Sequence, residues 1–319
     1  MNQLNNNPSL VFVYLGKMPE YVQYSLLLNS RYNKITLLCD ADFELVIPNI
    51  NVVNVKSFYN GNEFNNLADD SAKRFRDGFW VKTIERLYVL YAYMKHANLR
   101  RIFHGEIDNL IFSLDNIADV LDRQGTGLFY PMLTNKIAAA SLMYINSIDE
   151  MESLISFFNA QTTFKDEMLM LAEYVEHSNN VYTLPAENNT NNEIDVTLDN
   201  EKFVFDVAAF GQYLFGIDLR NSGRPVFNKY QNIHCRTDLS KLNFRMDEAT
   251  GQIYVQRDHQ ELKLINIHIH SKIFKRIYQQ TDYVTNVINK LNNRKRTLIS
   301  LNIRNYKYIR NLFQILAVK

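Results

Sequence analysis

The chain has 319 residues, with 35 Lys/Arg against 34 Asp/Glu, a net charge of +1 and 46% hydrophobic residues. That balance belongs to a globular domain and excludes a disordered or collagen-like polymer. No uncharged apolar run approaches the roughly 18 residues of a membrane-spanning helix, and Cys39 and Cys235 fall in no CxxC or zinc-type spacing, as expected of reduced cytoplasmic thiols.

The opening MNQLNNNPSL lacks the basic-then-apolar pattern of a secretory signal, so a cytoplasmic chain is expected. SLVFVYLG (Ser9–Gly16) predicts a strand ending in Gly, and MPEYVQYSLLLNSR a helix with Pro19 near its start. KITLLCD (Lys34–Asp40) and INVVNV (Ile50–Val55) predict two more strands. This β-α-β opening implies a mainly parallel sheet with helices on its faces. No GxGxxG follows the first strand, so a dinucleotide fingerprint is absent.

FWVKTIERLYVLYAYMKHA is the clearest helix, with Trp80, Ile84, Leu87, Tyr91 and Met94 on one face. RIFHGEIDNLIF (Arg101–Phe112) follows as a predicted buried strand. Its His104, Glu106 and Asp108 alternate with apolar residues, which on a strand would put all three on one face. GLFYPM and AAASLMYIN (Ala138–Asn146) predict strands, and IDEMESLISFF and FKDEMLMLAEYVEH helices. LPAENNTNNEIDVTLDNEK reads as a surface loop and FVFDVAAFGQYLFGID (Phe203–Asp218) as helical. QIYVQR and LKLINIHIH read as strands, and the rest as a helical tail without internal repeats.

From Ser271 onward there are eleven Lys/Arg and one acid, Asp282, which leaves 24 bases (35 − 11) and 33 acids (34 − 1) before it. An acidic body with a basic tail predicts a polyanionic partner for the tail. Arg304, Lys307 and Arg310 recur on one face of the predicted tail helix, with Leu301, Tyr308, Leu312, Ile315 and Leu316 as apolar surface. Such a helix suits an anionic membrane; equally, it suits packing on the body with its basic face in water. No recognition motif accompanies these bases, so nucleic acid is not expected.

Two groups of residues suggest metal chemistry. Glu106 and Asp108 are spaced to hold a divalent cation, and the competing reading is hydrated acids at a strand end. In NIHIHSK, His268 and His270 share a predicted strand face, with Ser271 and Lys272 where it ends. Imidazole ligates metal and Lys binds phosphate as a point charge. Asp166 and Glu167 are candidate bases against a plain helix-terminal role, and Asp206 a candidate base against a cap.

In this order the motifs resemble those of metal-dependent nucleotide-sugar glycosyltransferases of the GT-A fold, of the bacterial polysaccharide and lipopolysaccharide type. The resemblance spans roughly residues 9 to 275. It implies an α/β, Rossmann-like, mainly parallel sheet flanked by helices. The glycosyltransferase domain would cover 1–270, with a nucleotide-binding half over about 1–112, an acceptor half over about 113–270, and a basic helical extension at 271–319. The family's DxD motif would read Glu106-Ile107-Asp108, a departure in its first acid. With His268 or His270, these acids would bind Mn²⁺ or Mg²⁺. Lys272 and Ser271 would meet the diphosphate, Trp80 and Arg86 the rest of the donor, and Glu167, Asp166 or Asp206 would activate the acceptor. The implied partners are a nucleotide-sugar donor, with UDP as the expected nucleotide, and a glycan or lipid-linked acceptor, at the cytoplasmic face of a membrane. Retention or inversion stays open. The rivals are a metal-dependent hydrolase using HxExD and HxH, a nucleotidyltransferase, and a non-catalytic carbohydrate- or membrane-binding relative.

Overall fold

The computed structural model describes residues 8–40, 47–62, 73–76, 78–188, 192–218 and 234–293. Strands β1 (Leu10–Tyr14), β2 (Ile35–Cys39) and β3 (Ile50–Asn54) pair in parallel. β1 and β2 are near-continuous apolar runs, LVFVY and ITLLC, because helices cover the sheet on both faces. β4 (Ile102–Gly105) pairs in parallel with the other side of β1. Beyond it come β8 (Leu142–Ile145), β6 (Leu128–Thr134) and β7 (Ile137–Ala138), and β9 (Val181–Leu184) runs parallel to β6. The order is β3-β2-β1-β4-β8-β6-β7, with β8 and β7 reversed, so the sheet is mainly parallel as the sequence predicts.

Helices α2 (Phe79–His96), α4 (Ile148–Asn159) and α5 (Glu167–His177) cover one face through Leu87, Tyr91, Leu154 and Tyr174. Helices α1 (Glu20–Asn29) and α3 (Ile117–Asp122) cover the other through Val22, Leu26, Ile117 and Leu121. The predicted apolar face of α2 is the one that enters the core: Ile84, Leu87, Tyr91 and Met94 are buried, and Trp80 half-buried.

The two segments read as single strands through the candidate metal residues are each broken. The first stops at Gly105, turns over 106–108, and resumes as β5 (Asn109–Ile111), which leaves the sheet. The second ends as β14 (Gln260–Leu264) and restarts after Ile265 as β15 (Asn266–His268). β5 and β15 form a two-stranded antiparallel ribbon. The reason is hydrogen bonding: Asn29 on α1 donates from Nδ2 to Asn109 O at 2.9 Å and accepts from Ile111 N at 2.7 Å. These bonds hold the backbone away from the main sheet.

The Phe203–Asp218 region, read as a helix, is instead β11 (Glu201–Val204) followed by α6 (Ala209–Phe215). β10 (Thr197–Leu198), β11, β14, β13 (Ile253–Arg257) and β12 (Asn243–Met246) make a second sheet in the order β10-β11-β14-β13-β12. Its third core joins Phe112, Phe244, Ile267 and Phe274. α7 (Phe274–Gln279) packs on α1, where Tyr21 and Phe274 stack with ring centroids 6.1 Å apart. Residues 283–293 are helical, whereas Arg304, Lys307 and Arg310 lie outside the described residues. Among the described residues no helix is long and apolar enough to cross a membrane.

Candidate metal centre

The site starts from the turn after β4, at the C-terminal edge of the parallel sheet, where open α/β sheets gather ligands. Gly105 precedes the turn, packed so that a Cβ there would lie 2.6 Å from Ile111 Cδ1 and 3.1 Å from Phe12 Cε1. The turn is closed by Asn109 N donating to Glu106 O at 3.0 Å, and Ser25 Oγ on α1 donates to Ile107 O at 2.5 Å. Glu106 and Asp108 therefore project from a fixed turn, not from alternate positions of a strand. Across the ribbon His268 faces Asn109, and Ile269 N donates to Asp108 O at 2.7 Å. Asn266 ties both strands, donating from Nδ2 to Asn109 Oδ1 at 2.7 Å and to Asp206 O at 2.9 Å.

Glu106, Asp108 and His268 thus offer three ligand atoms within 4.8 Å of one another. His268 Nε2 is 3.3 Å from Asp108 Oδ1, and its Nδ1 is 3.1 Å from Val207 O and 3.7 Å from Glu106 Oε2. A carbonyl only accepts, so the proton on Nδ1 goes to Val207 O, and Nε2 faces Asp108. Burial opposes charge on the imidazole, but Asp108 and Glu106 outweigh it and push the group up to about 10. Burial also opposes charge on Asp108, yet His268 and Lys272 hold it far below the usual carboxylate range. A cluster that draws a proton this strongly fits a divalent cation. Two carboxylates and one imidazole form a donor set suited to Mn²⁺, or with more water to Mg²⁺. Lys272 Nζ stands 3.3 Å from Asp108 Oδ2 and 3.7 Å from Asp218 Oδ2, at the rim.

The remaining predicted residues fall into separate places. His104 is fully buried, its Nδ1 donating to Val11 O at 3.0 Å, and burial, then Arg86, push it down to about 3. It is not one of the residues of the cation cluster. His270 Nδ1 accepts from Asp218 N at 2.8 Å, so it orients the segment beside Lys272 while His268 faces the acids. Burial, then the neighbouring His268, push His270 down to about 4. Ser271 Oγ is buried with no hydrogen-bond partner among the described residues. Arg86 is an ion-pair hub: its Nη2 donates to Glu106 Oε1 at 2.8 Å and to Glu167 at 2.7 and 2.8 Å. Burial opposes its charge, but Glu167 and Glu106 hold it protonated. Burial pushes the Glu167 carboxyl up to about 7, against the pull of Arg86. Asp166 is the N-cap of α5, accepting from Leu169 N at 3.0 Å.

Asp206 is fully buried, and both its oxygens accept backbone N–H groups: Oδ1 from Phe210 at 3.0 Å, Oδ2 from Gly211 at 2.8 Å and His268 at 2.9 Å. Burial, then Glu187, push its carboxyl well up. Glu187, from the stretch read as a surface loop, is also fully buried. Composition hid it, because three of its partners are backbone N–H groups that leave no side-chain signature, and the fourth is the Asp206 carboxyl.

A cleft of about 580 Å³ opens at the C-terminal ends of β1–β3, lined by Gly16, Asp40, Tyr59, Lys82 and Glu85 among others. Gly16 N donates to Asp40 Oδ1 at 2.8 Å. Lys82, Glu85 and Arg86 come from the same turns of α2, so this helix borders both cleft and cluster. Tyr59 supplies an aromatic side chain to the cleft wall, while Trp80 stacks on Phe75 at 5.8 Å.

No family model and no curated protein matches the chain. Among solved structures it is similar to mouse xyloside xylosyltransferase 1, apo form, at 9% identity over 56% of this chain and 87% of that one, TM-score 0.36. It is also similar to the galactosyltransferase LgtC in complex with donor and acceptor sugar analogs, at 14% identity over 56% and 73%, TM-score 0.37. A cytidylyltransferase from Leptospira borgpetersenii matches at 14% identity over 67% and 87%, TM-score 0.32. At these values the likenesses are distant ones of chain path.

Proposed function

We propose that the chain is a GT-A-type glycosyltransferase. In this reading it moves a sugar from a nucleoside diphosphate donor, UDP foremost, to a hydroxyl of a glycan or glycolipid. The observation that carries this is the meeting of Glu106, Asp108 and His268, with Lys272 at the rim, while helix α2 borders both this cluster, through Arg86, and a cleft at the ends of β1–β3. The cleft takes the nucleoside. Glu106, Asp108 and His268 hold Mn²⁺ or Mg²⁺, which when bound acts as a Lewis acid on the departing diphosphate.

The chain's own groups do the rest. Lys272, steadied by Asp108 and Asp218, presents a positive charge to a phosphate oxygen. Arg86 aligns Glu106 with the cluster and anchors Glu167 behind it. Glu167, with its raised proton affinity, is the group suited to take the acceptor hydroxyl proton. Asp166 is committed to its cap and Asp206 to backbone donors; Glu167 is held by a mobile kind of partner, the Arg86 side chain, and is the preferred base. The basic tail beyond the described residues would bring the enzyme to an anionic cytoplasmic membrane surface carrying a lipid-linked acceptor.

The test is thermal stabilisation by UDP and GDP with and without Mn²⁺, followed by release of sugar from UDP-sugars without acceptor. Nucleotide stabilisation that needs Mn²⁺ and vanishes in Asp108→Ala is the expected result. Metal stabilisation with no nucleotide effect would turn the assignment to a hydrolase, and no response to either would reject both. Flotation with anionic liposomes, full chain against one ending near Ser271, tests the tail; equal flotation removes the membrane role.

A further inference from the structure

We propose that the buried carboxylates Asp206 and Glu187 are positioning residues for His268, fixing its backbone and the Val207 carbonyl so that Nε2 is turned to the cation. The inference rests on the metal-binding reading above. Five consecutive backbone N–H groups, from Val207 to Gly211 around the start of α6, are taken by these two carboxyls. Glu187 Oε1 accepts three of them, from Val207 at 2.9 Å, Ala208 at 2.9 Å and Ala209 at 2.7 Å. Asp206 accepts the next two, from Phe210 and Gly211, and also the N–H of His268.

A short helix could be capped more simply by one Ser or Asp at its N-cap; here that position is Ala208, with no side-chain cap. What the two remote carboxylates add is a join between elements distant in sequence. Asp206 bonds α6 and β15 through the same oxygen. Glu187 accepts from Ala208 N at 2.9 Å and so fixes the peptide whose carbonyl, Val207 O, receives the His268 Nδ1 proton at 3.1 Å. Glu187 is itself held, since Arg257 Nη1 donates to Ala186 O at 3.0 Å and Thr237 Oγ1 to Glu187 O. Gly211 completes the join: a Cβ there would lie 2.0 Å from His268 O. Neither carboxylate offers a ligand atom to the cation cluster, so each acts through His268, as outer partners of metal-binding histidines do.

The test is Mn²⁺ binding by the full chain, read from the EPR signal of free Mn²⁺, with thermal melts confirming the fold. Asp206→Asn and Glu187→Gln are expected to weaken binding about 10–100-fold, the range for outer partners of ligating histidines. In a His268→Ala background the same changes are expected to cost less than about 3-fold, because the group they act through is gone. Folded variants that bind like wild type, while His268→Ala weakens binding, overturn the positioning role and leave the metal reading intact. An equal loss in the His268→Ala background also overturns it. Should Asp108→Asn and His268→Ala both bind like wild type, the metal reading itself falls. If the carboxylate variants do not fold, Zn²⁺-loaded wild type decides through long-range ¹⁵N–¹H correlations of His268. A proton on Nδ1 with metal on Nε2 upholds the inference, and the reverse overturns it.

Discussion

Two groups of buried or half-buried carboxylates sit close together in this molecule and are treated in opposite ways. Glu106, Asp108 and Glu167 are met by side-chain cations: Arg86, His268 and Lys272. Asp206 and Glu187 are met by backbone N–H groups. A side-chain cation can be exchanged for a metal ion or released to a phosphate, whereas a backbone donor stays where the fold puts it. On the proposed reading the first group is chemistry that can change partners, and the second is scaffold.

The comparison can be broken by substitution, and the largest effect is expected at its hinge. Arg86→Leu leaves Glu167 without its counter-ion in a site where that side chain is 4% exposed. A loss of about 3–5 kcal/mol in urea-melt stability is expected; a loss below about 1 kcal/mol would show that Glu167 does not depend on a cation. Asp108→Asn removes the carboxylate that faces both His268 and Lys272. Mn²⁺ affinity measured by EPR is expected to fall at least ~100-fold, about 2.7 kcal/mol, and unchanged affinity would move Asp108 into the scaffold class.

Gly211→Ala strikes the scaffold instead, by forcing a Cβ against His268 O. A thermal or urea melt should register about 2 kcal/mol of overpacking, and an unperturbed melt would mean that α6 and β15 are free to part. The smallest effect concerns a third arrangement. Glu150 accepts from Tyr174 Oη and Ser178 Oγ, both at 2.5 Å, and from Asn180 at 3.0 Å. Burial works against its charge, but Ser178, Tyr174 and Asn180 prevail and lower the carboxyl. A carboxyl lowered in the fold stabilises fully above its unfolded value, near 4.5, and loses that contribution as pH falls through the folded one. Between pH 7 and pH 3 wild type should lose more stability than Glu150→Gln, by on the order of 0.5 kcal/mol after solvent screening. Equal losses would show that these hydrogen bonds favour neither protonation state.

The sheet could be read from the chain because burial on both faces writes apolar runs at β1 and β2, and α2 shows its 3.6-residue period. The acids and histidines of the site could be found too, but not their arrangement. Alternation from Arg101 to Phe112 imitates a strand, while the break after Gly105 depends on Asn29, far away in sequence. The choice of His268 over His270 depends likewise on where β15 ends and on Asp218 N, which takes up His270. Glu187 left no trace because backbone donors are the same whatever the side chains are. Pattern reports which face a residue turns to the core; it does not report a partner brought in by tertiary contact.

The ribbon also dictates when the site can exist during folding. Asn109 and Asn266, which bind across it, are separated by 157 positions. The β1–β4 half can collapse with its acids in place long before an imidazole reaches them, since closing so long a loop must precede the contacts that reward it. In small zinc domains the metal drives folding; here a bound cation would instead report that folding is complete. A newly made chain still lacking β15, or one nicked between the two ribbon strands and sprung apart, would keep its acids and lose its grip on the ion.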